Sequence, residues 1–194
     1  MTDITDQKSA LRKILRKARR EHTASLPPQV SALVFRRPPA PVLDLLPQGA
    51  TIGLYHATAH EAPAGGYARF LMEAGHPIAL PRISDADQSM EFREHTDPFG
   101  ETDLEKGPKD LMQPGLNAGI VRPRVLFVPV VGFTEDGHRL GQGGGFYDRY
   151  LAAHPDTIAL GLAWDVQKVD ELPTEEHDMR LTAIITPTRV HGPF

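Results

Sequence analysis

Short apolar runs recur along the chain and are separated by polar segments rich in turn-forming residues. The run at 125–131 is rich in β-branched residues, which is typical of a strand. Similar patterns predict strands at 51–57, 78–82, 90–93, 157–163 and 181–186. The rest of 83–124 is polar with scattered prolines, so we expect loops and edge structure there.

Helical spacing of apolar residues marks the remaining segments. In 1–22 it predicts a basic amphipathic helix with an apolar stripe formed by Leu11, Ile14, Leu15 and Ala18. Further helices are predicted at 66–74 and from Phe146 onward, and prolines leave room for only a short one at 29–35. Alternating strands and helices predict an α/β fold over 1–194, with one domain and a mainly parallel, Rossmann-like sheet covered by helices on both faces.

Composition narrows the class of protein. A chain of 194 residues that is 40% apolar can bury a core of its own. Cysteine is absent, which excludes disulfides, thiolate metal sites and a cysteine nucleophile and is compatible with a reducing cytoplasm. No apolar run approaches the ~20 residues of a membrane span. We therefore expect a soluble cytoplasmic protein with no membrane partner.

Charge is distributed unevenly along the chain. The net charge is −4, yet residues 1–22 carry seven basic and three acidic side chains. This helix could attract nucleic acid, but a basic face opposite an apolar stripe is also typical of a helix docked on a protein surface. Because the remaining surface is acidic and would repel a phosphate backbone, we expect no nucleic-acid partner.

A glycine-rich loop lies between a predicted strand and a predicted helix. Residues 139–149 read Arg-Leu-Gly-Gln-Gly-Gly-Gly-Phe-Tyr-Asp-Arg. One or two glycines would suffice for a turn that packs the helix, whereas four allow the backbone amides and the helix dipole to approach an anion. Neither a dinucleotide fingerprint nor a Walker loop fits this spacing. Residues 132–148 are therefore predicted to form another kind of phosphate loop and the helix start.

Other candidate chemistry is sparse. Asp148, early in the helix after the loop, could hold a hydrated Mg²⁺ near a phosphate or could compensate the helix dipole. His56, His60 and Glu61 are spaced as in some metal sites, but the local pattern is strand and loop, and the Glu lies outside the zincin position. The chain has no Gly-x-Ser-x-Gly elbow, so covalent hydrolase chemistry has no support.

The glycine-loop segment resembles the signature of the 5-formyltetrahydrofolate cyclo-ligase family, which reads Gly-x-Arg-Leu-Gly-x-Gly-x-Gly-Tyr-Tyr-Asp-Arg. Residues 137–149 match it, with Phe146 replacing the first tyrosine. Further matches follow in the family's order along the chain: Lys8 with Arg12, Tyr55 with Glu61, Gly161-Leu-Ala, Gln167 and Glu176-His177-Asp178.

The resemblance implies ATP-driven conversion of 5-formyltetrahydrofolate to 5,10-methenyltetrahydrofolate, ADP and phosphate, with Mg²⁺, by a monomer whose partner is a reduced folate. It implies catalytic roles for Arg139, Tyr147 and Asp148, and metal binding by Asp148 and Asp178. The folate would contact Tyr55, Glu61, Gly144 and Tyr147, with the Glu61 carboxylate accepting hydrogen bonds from the pterin. The nucleotide would contact Lys8, Arg12, Arg139, Leu140, Gly141, Gln142, Gly143, Gly144, Gly145, Phe146 and Tyr147.

One segment departs from the family pattern. Where the family usually shows Gly-Ile-x-Glu-Pro, this chain has Asp110-Leu-Met-Gln113-Pro114. The alternatives are a related ATP-dependent kinase or ligase acting on another pterin or small amide, and a non-catalytic paralogue that binds nucleotide or RNA. The preserved Arg139 and Asp148 argue against the paralogue.

Overall fold

The structure is a computed structural model that describes residues 3–84, 86 and 88–194. Its α-helices are α1 (Ile4–Ser25), α2 (Pro28–Leu33), α3 (Ala40–Leu43), α4 (Gly65–Glu73) and α5 (Phe146–Ala153). Its strands are β1 (Ile52–Gly53), β2 (Ile78–Ser84), β3 (Ser89–Glu94), β4 (Leu104–Lys106), β5 (Met112–Pro114), β6 (Ile120–Val121), β7 (Val125–Pro129), β8 (Gly132–Phe133), β9 (Arg139–Leu140), β10 (Ile158–Leu162), β11 (Ala183–Ile185) and β12 (Val190–His191). A single 3₁₀ turn occupies Asp165–Gln167, and Pro108–Asp110 forms a turn in which Lys109 and Asp110 have positive φ values.

An eight-stranded sheet is the centre of the fold, in the order β12-β11-β10-β7-β1-β2-β3-β6. Its middle strands β11, β10, β7, β1 and β2 are parallel, and β12, β3 and β6 add antiparallel edges. The order of the parallel strands is the flavodoxin-like form of the doubly wound class to which Rossmann sheets belong, and it reverses between β1 and β7. The predicted α/β class with a mainly parallel sheet is confirmed.

Alternate strand residues enter two separate cores, one on each face of the sheet. Ile52 and Phe127 pack beneath α4, whereas Leu126 and Ile184 pack on the opposite face with α5. Each side chain buried in this way contributes about 1.5–3 kcal/mol to stability. Helices therefore cover both faces, as predicted.

The observed elements differ from the predictions mainly at the carboxyl end of the sheet. The strand expected at 51–57 shrinks to β1, because the chain leaves the sheet after Leu54 and the Tyr55 hydroxyl donates to the Ala62 carbonyl at 2.5 Å. The strand expected at 125–131 ends at Pro129, and the β8–β9 hairpin then separates it from the glycine loop. The hairpin was not predicted, since its two-residue strands are too short to show a period. α1 extends three residues beyond the predicted end, while residues 1 and 2 lie outside the described residues.

A fully buried glutamine ties two strand ends together. The Gln167 amide donates to the carbonyls of Val130 and Val131 at 2.5 and 2.9 Å, and its oxygen accepts the Trp164 N–H at 2.8 Å. These bonds satisfy main-chain groups that leave the sheet after β7 and β10. Within the described residues, no helix is both long and apolar enough to cross a membrane.

We predict that Gly66→Ala destabilises the protein by about 1–3 kcal/mol, although alanine normally favours a helix. A Cβ atom at Gly66 would collide with the Phe35 carbonyl oxygen. Gly65→Ala is the matched control, since its Cβ would meet only Arg69 Nη1 at an ordinary 3.7 Å. Urea unfolding of both variants checks this, and equal stabilities would contradict the packing described for α4.

Candidate active site

The strand order reverses between β1 and β7, and we call the region between the loops that follow their carboxyl ends the crevice. Ligands of doubly wound folds bind in such crevices. Helix α1 crosses this edge, and Leu15 packs there with Val131 and Leu140. A Cβ atom on Gly132 would collide with Leu15, so the bare backbone of β8 allows α1 to come this close.

The glycine loop runs beneath the polar side of α1. Gly143 and Gly145 have φ values of 106° and 64°, in the left-handed region that favours glycine, and Gly145 is the N-cap of α5. The Arg12 Nε atom donates to the Gly141 carbonyl at 2.8 Å, and a Cβ on Gly143 would lie 3.3 Å from the Arg12 guanidinium carbon. The loop thus exposes backbone beside a cation, as a phosphate-binding loop requires.

A partly buried ion pair between Arg139 and Asp148 fixes the start of α5. Arg139 Nη2 lies 2.7 Å from Asp148 Oδ1, and its Nη1 donates to the Met179 carbonyl. The same carboxylate oxygen accepts the Met179 N–H at 3.1 Å. Arg139 is therefore committed to holding Asp148 and the Met179 backbone in place.

Lys8 lies among acidic groups near the amino end of α1. Its ammonium is 2.7 Å from Glu175 Oε2 and 2.6 Å from Asp178 Oδ2. Burial opposes the charge of Lys8, but the two carboxylates outweigh it and raise its pKa. Burial likewise opposes ionisation of Asp178, but bonds from Lys8 and the Glu175 N–H hold its pKa below the usual value. One possible ligand atom each from Glu175, His177 and Asp178 lie within 4.8 Å of one another.

Glu61 forms the other side of the crevice, and its charge acts on Tyr55 and on Tyr147, the second residue of α5. Glu61 accepts hydrogen bonds from the Thr58 N–H at 2.8 Å and from the Gln142 side chain at 2.9 Å. Burial and the Glu61 charge raise the pKa of both Tyr55 and Tyr147, while Arg139 opposes this at Tyr147. Both phenols are therefore protonated near neutral pH. Because Gln142 is in the glycine loop, its bond to Glu61 joins the two sides of the crevice.

The predicted site residues lie around this crevice, but they differ in how far their side chains could contact a ligand. Leu140 is in the core beneath α1, so only its backbone could face a ligand. Phe146 lies under the Arg149 guanidinium, whose Cζ is 5.1 Å from the ring centroid. Residues that the sequence reading missed include Arg16, which donates to Gln142 at 2.6 Å, and Arg19. The helical spacing of the basic residues in α1 was the signal that could have found them.

The segment 110–114, which departs from the family pattern, has a backbone that would also accept the family's residues. Asp110 has a φ of 58°, in the region that glycine, the family's residue at this position, adopts readily. Gln113 is buried, and its Oε1 atom accepts the Ile83 N–H at 3.1 Å, a role that a carboxylate oxygen could also fill. Both departures therefore preserve a backbone arrangement suited to the family's residues.

A model of the 5-formyltetrahydrofolate cyclo-ligase family matches residues 4–187. The chain belongs to this family. The resemblance first drawn from the glycine loop is thereby confirmed over nearly the whole chain.

Relatives within the cyclo-ligase family align with only part of this chain. The 5-formyltetrahydrofolate cyclo-ligase of Escherichia coli K12 is 52% identical over 68 residues, which is 34% of this chain and 37% of the relative. That of Haemophilus influenzae is 40% identical over 91 residues, or 44% and 49% of the two chains. The alignments thus cover between about a third and a half of these relatives.

Solved structures of two 5,10-methenyltetrahydrofolate synthetases share the fold. The Mycoplasma pneumoniae protein has a TM-score of 0.65 at 24% identity and covers 92% of this chain and 97% of its own. The Aquifex aeolicus protein has a TM-score of 0.71 at 24% identity and covers 95% and 91%. These likenesses support the doubly wound fold of this cyclo-ligase family member.

We predict that Lys8→Met lowers the free energy of unfolding near neutral pH by about 1–3 kcal/mol, because two partly buried carboxylates lose their ammonium. The depressed pKa of Asp178 adds stability above its unfolded value of 3.8, which is lost as pH falls through the folded value. The raised pKa of Lys8 adds stability below 10.5, which is lost as pH rises through the folded value. The difference between wild type and variant is therefore largest between these limits.

Urea unfolding across this pH window and beyond both ends measures the difference. Lys17→Met is the control, because its exposed ammonium lies 3.7 Å from Glu21 on the same helix and should contribute less than about 0.5 kcal/mol. A Lys8→Met loss that does not change with pH would contradict the ion-pair account.

Proposed function

We propose that this protein converts 5-formyltetrahydrofolate to 5,10-methenyltetrahydrofolate while ATP becomes ADP and phosphate. The observation that carries this proposal is the crevice itself. It has a bare glycine loop beside Arg12 on one side and Glu61 with Tyr55 and Tyr147 on the other, joined by Gln142. An anionic phosphate donor and a pterin could lie next to each other in such a site. Membership in the cyclo-ligase family supports the same reaction.

The chemistry requires alignment and charge neutralisation more than a general base. The formyl oxygen of the substrate bonds to the terminal phosphorus as the bond from that phosphorus to ADP breaks. N10 then attacks the activated formyl carbon, the carbon–oxygen bond breaks, and phosphate leaves with the N10 proton. The attacking formyl oxygen carries no proton to remove, so positioning by fixed amides and cations supplies most of the catalysis.

At the phosphate side, we assign ATP binding to Lys8, Arg12 and the backbone amides of 141–145. Arg139 acts by holding Asp148 in place, and its buried pairing makes it a positioning residue. The residues also fit Mg²⁺, since Asp148 and Asp178 offer carboxylate oxygens that already face cations, Arg139 at Asp148 and Lys8 at Asp178. Bound Mg²⁺ would neutralise phosphate oxygens.

At the folate side, we assign pterin binding to Glu61, Tyr55 and Tyr147. The Gln142 amide donates to Glu61 as a 2-amino group of a pterin would, so the carboxylate is already arranged to accept N–H donors. Tyr55 lies in the core with its hydroxyl bonded to Ala62, which limits it to shaping the wall. We further propose a cytoplasmic monomer without a nucleic-acid partner, because the net charge of −4 disfavours one.

The proposed reaction is tested directly by mixing purified protein with ATP, Mg²⁺ and 5-formyltetrahydrofolate and recording the absorbance of the methenyl product. We expect a signal that requires both ATP and Mg²⁺. Without any ATP-dependent signal the folate assignment is wrong, and ADP release with another pterin or a small amide would then identify the alternative kinase or ligase.

Arg12→Met should raise the KM for ATP by about tenfold to a hundredfold, because a charge-assisted contact to phosphate is lost. The KM for the folate should change little. Lys13→Met, one residue along the same helix and exposed, is the matched control and should leave both constants unchanged. Steady-state kinetics with each substrate varied in turn give the answer, and an unchanged KM for ATP in Arg12→Met would remove this residue from the site.

A further inference from the structure

Arg19 is buried without the hydrogen bonds that a guanidinium normally makes. Its exposed fraction is 7%, and its Nε and Nη1 atoms are buried with no partner. In the part of the chain that the structure describes, these are the only buried side-chain nitrogen or oxygen atoms in that condition. Leaving buried donors unsatisfied is costly, and such a group requires an explanation.

The position of Arg19 on α1 relates it to the site. With about 3.6 residues per turn, Lys8, Arg12 and Arg19 lie on one face of the helix. Lys8 reaches the acidic cluster, Arg12 and Arg16 reach the glycine loop, and Arg19 is the next cation toward the carboxyl end of α1. It lies farther from the acidic cluster, toward the folate side.

Arg19 lies one helical turn before a residue that lines a cavity together with Glu61. Thr23, one turn later, donates from Oγ1 to the Arg19 carbonyl at 3.0 Å, and it lines a cavity of about 290 Å³ together with Glu61 and Trp164. Burial lowers the pKa of Arg19, and the Glu61 carboxylate is the main group opposing that effect. The side-chain bonds of Glu61 come from Thr58 and Gln142, so Glu61 acts on Arg19 through its charge and not through a hydrogen bond.

Building on the folate function proposed above, we propose that Arg19 determines pterin specificity by donating its unpartnered N–H groups to the 4-oxo oxygen. The relevant edge of a pterin carries the 4-oxo acceptor, the N3–H donor and the 2-amino donor in a row. A guanidinium beside a carboxylate presents the complementary order, with Arg19 donating and Glu61 accepting.

This arrangement also rejects one class of analogue. A 2,4-diaminopteridine has an amino donor in place of the oxo acceptor, which would face the Arg19 donors and leave them unpaired. In the ligand-free protein the same unpaired donors lower the stability of the fold. Arg19→Met keeps the apolar stem and removes the charge, so it should unfold at a temperature equal to or above that of the wild type.

The test uses the whole chain of residues 1–194 without ATP and measures calorimetrically the affinities for 5-formyltetrahydrofolate and for its 2,4-diamino counterpart. Wild type should prefer the 4-oxo compound. In Arg19→Met we expect the affinity for the 4-oxo compound to fall about tenfold to a hundredfold and that for the diamino compound to change little, so that the preference collapses. Arg20→Met, the exposed neighbour, should retain the preference.

Each outcome separates this inference from the proposed function. If wild type forms the methenyl product and Arg19→Met keeps the wild-type ratio of affinities, the role of Arg19 is wrong and the reaction stands. A lowered unfolding temperature, or a failure to fold, would show a structural role and also overturn it. If wild type neither binds nor converts the folate, both proposals fail together.

Discussion

The close approach of Leu15 to the bare backbone of Gly132 determines where α1 crosses the carboxyl edge of the sheet. A side chain at Gly132 would push the helix outward, and every cation on its inner face would move with it. At the present spacing, Lys8 reaches the acidic cluster and Arg12 reaches the glycine loop. The sheet supplies the matching half of the site, because its strand order reverses between β1 and β7 and directs their following loops into one crevice.

Most charged groups of the site are paired with one another. Lys8 pairs with both Glu175 and Asp178, Arg139 holds Asp148, and Gln142 donates to Glu61. Under the proposed function, ligand binding is therefore an exchange in which substrate groups replace internal partners. The bond from Gln142 to Glu61 matters most, because Gln142 belongs to the glycine loop on the phosphate side and Glu61 to the folate side. A pterin that takes the Glu61 carboxylate releases this contact, so the two substrates would influence each other's binding.

Periodicity and glycine spacing were sufficient to predict the α/β class, the helices α1, α2, α4 and α5 and the loop before α5, but not the four-residue helix α3. The β8–β9 hairpin was missed because its strands have two residues each, and the shortened β1 because Tyr55 bonds to Ala62 in a turn that no local pattern marks. Within the site, the motif indicated Arg139 and Asp148 but not that they pair. The bond between Glu61 and Gln142 spans 81 positions, and the burial of Arg19 depends on how α1 docks. Such contacts follow from tertiary packing, which residue patterns do not contain.

Under the proposed function, the backbone amides of the glycine loop bind the polyphosphate of ATP. The most direct measurement follows the amide NMR signals of Gly143, Gly144 and Gly145 while a non-hydrolysable ATP analogue is added with Mg²⁺. We expect these three signals to shift and to saturate together. Signals that stay unmoved under saturating analogue, or shifts confined to residues remote from the crevice, would contradict it.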